Sequence, residues 1–268
     1  MKLCVLGLVL SMVSACHALA DEISLFIVTG QSNARPEYAM GVDSGLRASG
    51  LWDHVVVFNS QRSGNALYKW VEGSNGDFTH ASNYTEDLWA ADGSSALQRR
   101  IAELEDEGHT VRVEGMFWFQ GEADSANVSQ QNQYQQKLTW MLQDLWSRYG
   151  KFDVVLTVID WNHDMPDYLA FIGRTPEDVE AIRGAIQRVA TSLDLGILDS
   201  RDRVRADIWH IADATDPRGF YAVATDFGAD EARIMIERSR CEGDLTGDGV
   251  LDIFDIFAML EIFSTGCR

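Results

Sequence analysis

Apolar runs and helical periodicities alternate along the chain. Five runs, 23–29, 54–58, 111–119, 152–159 and 195–198, read as β-strands. Four segments, 94–106, 130–149, 176–193 and 217–238, read as helices. Within 130–149, Tyr134, Leu138, Met141, Leu142, Leu145 and Trp146 recur at helical spacing, which assigns the Met and Trp residues to the core rather than to a cofactor site. Nearly continuous apolar strands separated by helices predict an α/β fold whose parallel sheet is covered on both faces. Sheets of that kind take ligands at the carboxyl ends of their strands. Ser32 and Gln120 each follow a predicted strand at that end. Two loop-rich stretches, 60–92 and 160–166, interrupt the pattern. They either rim a pocket or tuck their aromatics against the sheet.

The amino-terminal pattern is of another kind. Lys2, the apolar stretch 3–13 and Ala18-Leu19-Ala20 together read as a signal peptide over 1–20, with a stretch too short to span a bilayer. Val13-Ser14-Ala15-Cys16 supports a second reading, a lipidated amino terminus at Cys16. Either reading places the chain outside the cytoplasm: secreted, periplasmic or at the cell surface, and not transmembrane. The formal charge of −19 and a sequence pI near 4.5 exclude phosphate backbones as partners. Cys241 and Cys267 remain after cleavage, and in an exported chain they read as a disulfide, with two free thiols the alternative.

The candidate chemistry begins at Val28-Thr29-Gly30-Gln31-Ser32-Asn33, where the first strand must turn. A serine there can project its hydroxyl beside free backbone N–H groups. It becomes a nucleophile only when a base takes its proton. Asp207-Ile208-Trp209-His210 offers His210 as that base and Asp207 as its orienting acid. Asp160-Trp161-Asn162-His163 has the same form, but Asp207 and His210 follow the last strand and precede the last helix. A third segment, Phe119-Gln120-Gly121-Glu122-Ala123-Asp124, ends a buried strand and can aim the Gln120 amide at a developing oxyanion. The Ser32 N–H and a glycine turn complete such a hole, and Gly93, at the start of the helix over 94–106, is the expected glycine. Glu122 and Asp124 as the paired carboxylates of a glycosidase would leave Ser32 and His210 without a role.

Gly30-Gln31-Ser32-Asn33, Trp118-Phe119-Gln120-Gly121-Glu122 and the Asp207/His210 pair resemble the SGNH/GDSL-type hydrolases over about residues 22–239. More narrowly they resemble the sialate O-acetylesterase-like and acetylxylan-esterase branch, carbohydrate esterase family six. The resemblance implies a three-layer α/β/α fold over 21–239 and deacetylation of carbohydrate esters with no cofactor for catalysis. It implies Ser32 as nucleophile, His210 as base and Asp207 as acid, with Ser32, Gly93 and Gln120 around the oxyanion. Gln31, Asn33 and Glu122 are the matching substrate-binding candidates. The segment Asp92-Gly93-Ser94-Ser95 departs from the Gly-Pro-Glu-like stretch common in that branch.

From Cys241 the composition turns acidic and then apolar, and residues 240–268 are too few to bury a core of their own. Asp244, Thr246, Asp248, Asp252 and Asp255 fall at EF-hand ligand positions, Val250 supplies a carbonyl, and Gly249 sits at the sharp turn. The segment resembles a single dockerin repeat, which implies a small module holding structural Ca2+ and a cell-surface or sorting partner. The sequence thus leads to a secreted carbohydrate O-acetylesterase acting on an acetylated carbohydrate. The alternatives are a non-catalytic carbohydrate-binding protein on the same fold and an SGNH esterase for another acyl group.

Overall fold

The computed structural model describes residues 21–71 and 87–241, together with Ile253, Ile256, Phe257 and Leu260 in the tail. The expected leader at 1–20 and the metal ligands Asp244, Thr246, Asp248, Val250, Asp252 and Asp255, as well as Cys267, lie outside the described residues. The four tail positions are helical and about half exposed.

The elements run in the order β1 (Glu22–Gly30), α1 (Pro36–Ala48), β2 (Val55–Gln61), α2 (Tyr68–Val71), α3 (Ala96–Asp106), β3 (Thr110–Phe119), α4 (Val128–Tyr149), β4 (Asp153–Val158), α5 (Pro166–Phe171), α6 (Pro176–Leu193), β5 (Gly196–Asp199) and α7 (Ala222–Cys241). All five strands are parallel, in the order β2-β1-β3-β4-β5. The chain leaves β1 toward one edge of the sheet, returns, and continues toward the other. The gap between the carboxyl ends of β1 and β3 is therefore the switch point where such sheets open a crevice. Ser32 and Gln120 sit at the ends of these two strands.

Alternation along β3 fixes the layers. Trp118 points to α4, where its Nε1 donates to the Tyr134 hydroxyl at 3.3 Å. The next side chain, Phe119, points the opposite way, against Tyr38 of α1 and Phe227 of α7. Helices thus cover both faces, as the apolar runs predict.

Helix α1 is not among the helices that periodicity predicts, because Gly41 and Gly45 interrupt its apolar stripe. The structure gives these glycines a packing role. A Cβ on Gly41 would lie 1.9 Å from the Thr225 carbonyl oxygen, and one on Gly228 would lie 2.1 Å from that of Tyr38. The backbones of α1 and α7 touch because neither carries a side chain at the crossing. Helix α7 starts at Ala222 rather than 217, since Gly219 at φ +128° is outside helical conformation.

Candidate active site

The turn after β1 forms where β1 and β3 come closest. Gly30 adopts φ +136°, and a Cβ there would sit 2.1 Å from the Phe119 carbonyl oxygen, so no other residue fits. Gln31 N–H donates to that same oxygen at 2.8 Å. The chain then rises out of the sheet and presents Ser32, half-buried, in the lining of a cavity of about 300 Å³. Gly64, Glu122, Arg174, Trp209 and His210 also line this cavity.

His210 Nε2 lies 2.7 Å from Ser32 Oγ, and His210 Nδ1 lies 2.7 Å from Asp207 Oδ2. The other Asp207 oxygen, Oδ1, accepts from the N–H groups of Trp209 and His210, each at 2.9 Å. Partial burial works to raise the Asp207 pKa, but hydrogen bonds from the His210 ring and from these N–H groups outweigh it and hold the carboxyl below its usual value. The three side chains line up as base, acid and hydroxyl in the geometry that deprotonates a serine.

Ser32, Asp207, His210, Gln31 and Glu122 are thus brought together; Asn33 and Gln120 lie beneath them, and Gly93 lies elsewhere. Gln120 is fully buried and does not line the cavity. Its Nε2 faces Gln31 Oε1 at 3.0 Å, the Asn65 carbonyl at 3.2 Å and a carboxylate oxygen of Asp124. The expected Gln120 oxyanion contact is corrected accordingly: its donors serve the framework. Gly93 occupies an exposed turn, where its N–H donates to the Ala90 carbonyl at 3.1 Å. It does not line the cavity either. The glycine that does is Gly64, at φ +70° in the loop after β2. No described group accepts from the backbone N–H of Gly64 or of Ser32.

Gln31 Oε1 also accepts from the N–H groups of Gly121 and Ala123, each at 3.1 Å. Asn33, 4% exposed, donates to Glu122 Oε1 at 2.9 Å and to the Trp209 carbonyl at 3.1 Å, and accepts from Ile211 N–H at 3.1 Å. It therefore clamps the chain on both sides of His210. Burial raises the Glu122 pKa, opposed by weaker hydrogen bonds, and its Oε2 has no hydrogen-bond partner. Burial likewise pushes Asp124 up to about 6, against hydrogen bonds from Gln120 and Leu67.

The matching pair Asp160 and His163 does form a contact, at 3.0 Å, but its surroundings differ. Asp160 is buried against Arg183 and Arg205, at 3.6 and 4.0 Å, while His163 is exposed and stacks on Trp161. Sequence reasoning missed Gly64 and Arg174. Gly64 could have been found from its place just after a strand next to β1, had the strand order been known.

The profile of the family described as carbohydrate esterase, sialic acid-specific acetylesterase, matches residues 62–214. That span holds Glu122, Asp207 and His210; Ser32 precedes it and joins them only in the fold. A solved structure of a protein from Arabidopsis thaliana shares 13% identity at a TM-score of 0.52, covering 81% of this chain and 98% of that one. A lipase/acylhydrolase from Enterococcus faecalis is 16% identical, with a TM-score of 0.47 and coverages of 81% and 96%. A carbohydrate acetylesterase from Sinorhizobium meliloti is 10% identical, with a TM-score of 0.44 and coverages of 80% and 97%. The search of curated proteins finds no match. With its profile matched over more than half of the chain, this protein belongs to the carbohydrate esterase family described as sialic acid-specific acetylesterase.

Proposed function

We propose that the chain is a carbohydrate O-acetylesterase working by two-step acyl transfer. The observation that carries this reading is the pair of 2.7 Å contacts joining Ser32 Oγ, His210 and Asp207, beside a cavity lined by Ser32 and Gly64, whose backbone N–H groups are unengaged among the described residues. His210 Nε2 takes the Ser32 proton as Oγ bonds to the acetyl carbonyl carbon. The carbonyl oxygen becomes an oxyanion, and the N–H groups of Ser32 and Gly64 are the donors we assign to it. The intermediate collapses, the sugar C–O oxygen leaves with the proton from His210, and acetyl stays on Ser32. Water, deprotonated by His210, then attacks the acyl carbon and releases acetate. Asp207 holds Nδ1 protonated throughout and stabilises the imidazolium. Every step uses groups of the chain and water alone, so this reading needs no metal for catalysis.

Glu122, beside Ser32 with its Oε2 unpaired, is the acceptor we assign to a sugar hydroxyl, and the Gln31 side chain supports it from below. Export through the leader, with lipidation at Cys16 as a variant of it, and structural Ca2+ in the tail complete the proposal. Acetate release from acetylated xylan and from O-acetylated sialic acid tests it, with Ser32→Ala as control. Release that depends on Ser32 is expected; equal release by Ser32→Ala removes the mechanism. A panel of longer acyl esters separates acetyl from other acyl specificity.

A further inference from the structure

The loop after β2 brings Gly64 into the lining of the Ser32 cavity, and the tip of that loop has little packing to hold it. Ser63 and Gly64 are exposed, and a Cβ added to Gly64 would meet no atom within 4 Å. The shape of the tip is nevertheless defined. Asn65 N–H donates to the Arg62 carbonyl at 3.2 Å, which closes a four-residue turn with Ser63 and Gly64 at its centre. Gly64 has φ +70° and Ser63 a negative φ, the signature of a type II turn. The central peptide of such a turn is flipped relative to a type I turn, so the direction of the Gly64 N–H depends on the turn being held in this form.

The groups that hold it come from the turn after β3. Gln120 Nε2 donates to the Asn65 carbonyl at 3.2 Å and to Asp124 Oδ2. Asp124 in turn accepts from Leu67 N–H, at 2.9 Å to Oδ2 and 3.2 Å to Oδ1. The Tyr134 hydroxyl, 2.9 Å from Gln120 Oε1, keeps the Gln120 amide in this orientation. On the side of β1, Arg62 N–H donates to the Gly30 carbonyl at 2.8 Å. Beyond Leu67, Trp70 of α2 packs edge-on against Trp118, with ring centroids 5.3 Å apart. The turn is thus strung between fixed supports, with Gln120 and Asp124 as its side-chain ties. Both are buried, and neither lines the cavity. Asp124 meets two donors at once, which an ionised carboxyl can accept together; an amide in its place would set its own N–H2 against Gln120 or Leu67.

We propose that Asp124 and Gln120 are positioning residues that act through Gly64, holding the turn over 62–67 so that the Gly64 N–H is set for the oxyanion before substrate arrives. This deepens the acetylesterase reading and rests on it. Gln120 then serves the oxyanion at one remove, through a glycine of another loop, rather than by its own amide. Donors aimed in advance are effective because nothing has to rearrange as the charge develops. An exposed turn has that property only when its ends are tied to a rigid layer.

A double-mutant cycle in kcat tests this, with a chromogenic acetate ester as substrate and Ser32→Ala as control. Gly64→Ala disfavours φ +70° yet has room for its methyl group, so it turns the N–H away without disturbing the core. It is expected to lose about a hundredfold in kcat, as removal of one oxyanion donor does. Asp124→Asn cuts one tie and is expected to lose about tenfold or more in kcat, with KM within about threefold. The double variant should lie no more than about threefold below Gly64→Ala, because the ties act only through that donor. Losses that multiply in the double variant overturn the inference and leave Asp124 a structural residue. A kcat within about twofold of wild type in either single variant overturns it as well. Gln120→Met, which cuts the tie to Asn65, takes the place of Asp124→Asn in the cycle if the latter does not fold. Release by Ser32→Ala equal to that of the wild type removes the acetylesterase reading, whereas a Ser32-dependent enzyme with multiplying losses sinks this inference alone.

Discussion

Replacing Asn33 by alanine is the sharpest probe of how His210 is held. The side chain is buried and makes three hydrogen bonds, to Glu122 Oε1, to the Trp209 carbonyl and from Ile211 N–H. Three bonds at about 1 kcal/mol each set a loss of about 3 kcal/mol, and leaving the buried Ile211 N–H unpaired adds roughly 1 kcal/mol or more. A total of about 4 kcal/mol leaves a folded protein if its stability is in the ordinary range of about 5–15 kcal/mol. The melting temperature should fall by roughly 10 °C. Activity should fall further than that loss explains, because Trp209 and Ile211 flank His210. A shift of about 1 Å in the imidazole removes about a hundredfold in kcat, with KM little changed. Asn33→Asp makes the companion variant. It keeps the acceptor for Ile211 but sets a carboxylate against Glu122, at a contact now 2.9 Å long. Two carboxyls that close share a proton, so this variant should regain stability as the pH is lowered. Urea unfolding and kcat/KM for an acetate ester read both effects. An Asn33→Ala enzyme that loses stability while kcat stays within twofold refutes the clamp and leaves Asn33 a packing residue.

Other expectations follow from the same contacts. Asp207→Asn presents the wrong hydrogen-bonding partner to His210 Nδ1 and should lower kcat by about a thousandfold or more; a loss under tenfold would show that His210 holds its tautomer without it. His163→Ala should leave kcat/KM within twofold, and a loss matching that of His210→Ala would move the base to the other Asp/His pair. Asp124, raised to about 6 from 3.8, contributes stability that is fully present below pH 3.8 and lost as pH rises through about 6, about 3 kcal/mol in all. Urea midpoints of Asp124→Asn should therefore fall less than those of the wild type between pH 4 and 7, and parallel profiles would contradict the shift.

Much of this arrangement was legible from residue order. The five strands, helices α3, α4, α6 and α7 and the Ser32, Asp207 and His210 set all follow from apolar runs, helical spacing and the chemistry of a serine beside an imidazole. Helix α1 was hidden because Gly41 and Gly45 serve a helix crossing that exists only in three dimensions. Gly93 is the glycine that the sequence points to on a one-dimensional ground, its place before a helix. Strand order decides otherwise: β2 lies beside β1, so the loop after β2 reaches the Ser32 turn, and the approach to α3 does not. Arg174 gave no sequence signal, since only the fold brings it into the lining of the cavity.

The two motif segments acquire a common meaning from their hydrogen bonds. Gln31 and Asn33 flank Ser32 in sequence, and neither side chain is left to act alone. Gln31 gathers three donors from residues 120–123, while Asn33 ties Glu122 to the backbone on both sides of His210. The turn after β1, the turn after β3 and the loop before α7 are thereby one hydrogen-bonded unit with the serine at its centre. Ser32 and His210, 178 positions apart in sequence, are held at 2.7 Å because the residues on either side of Ser32 reach the other two segments. Buried amides can do this where charged side chains would not, since each satisfies donors and acceptors together without carrying a desolvated charge into the switch point. The two carboxyls that remain in that layer, Glu122 and Asp124, are the groups that burial shifts upward, and each is met by an amide from this unit. Preorganisation of the Ser32 hydroxyl is thus a property of the polar layer beneath it, and substitutions there should alter kcat before they alter KM.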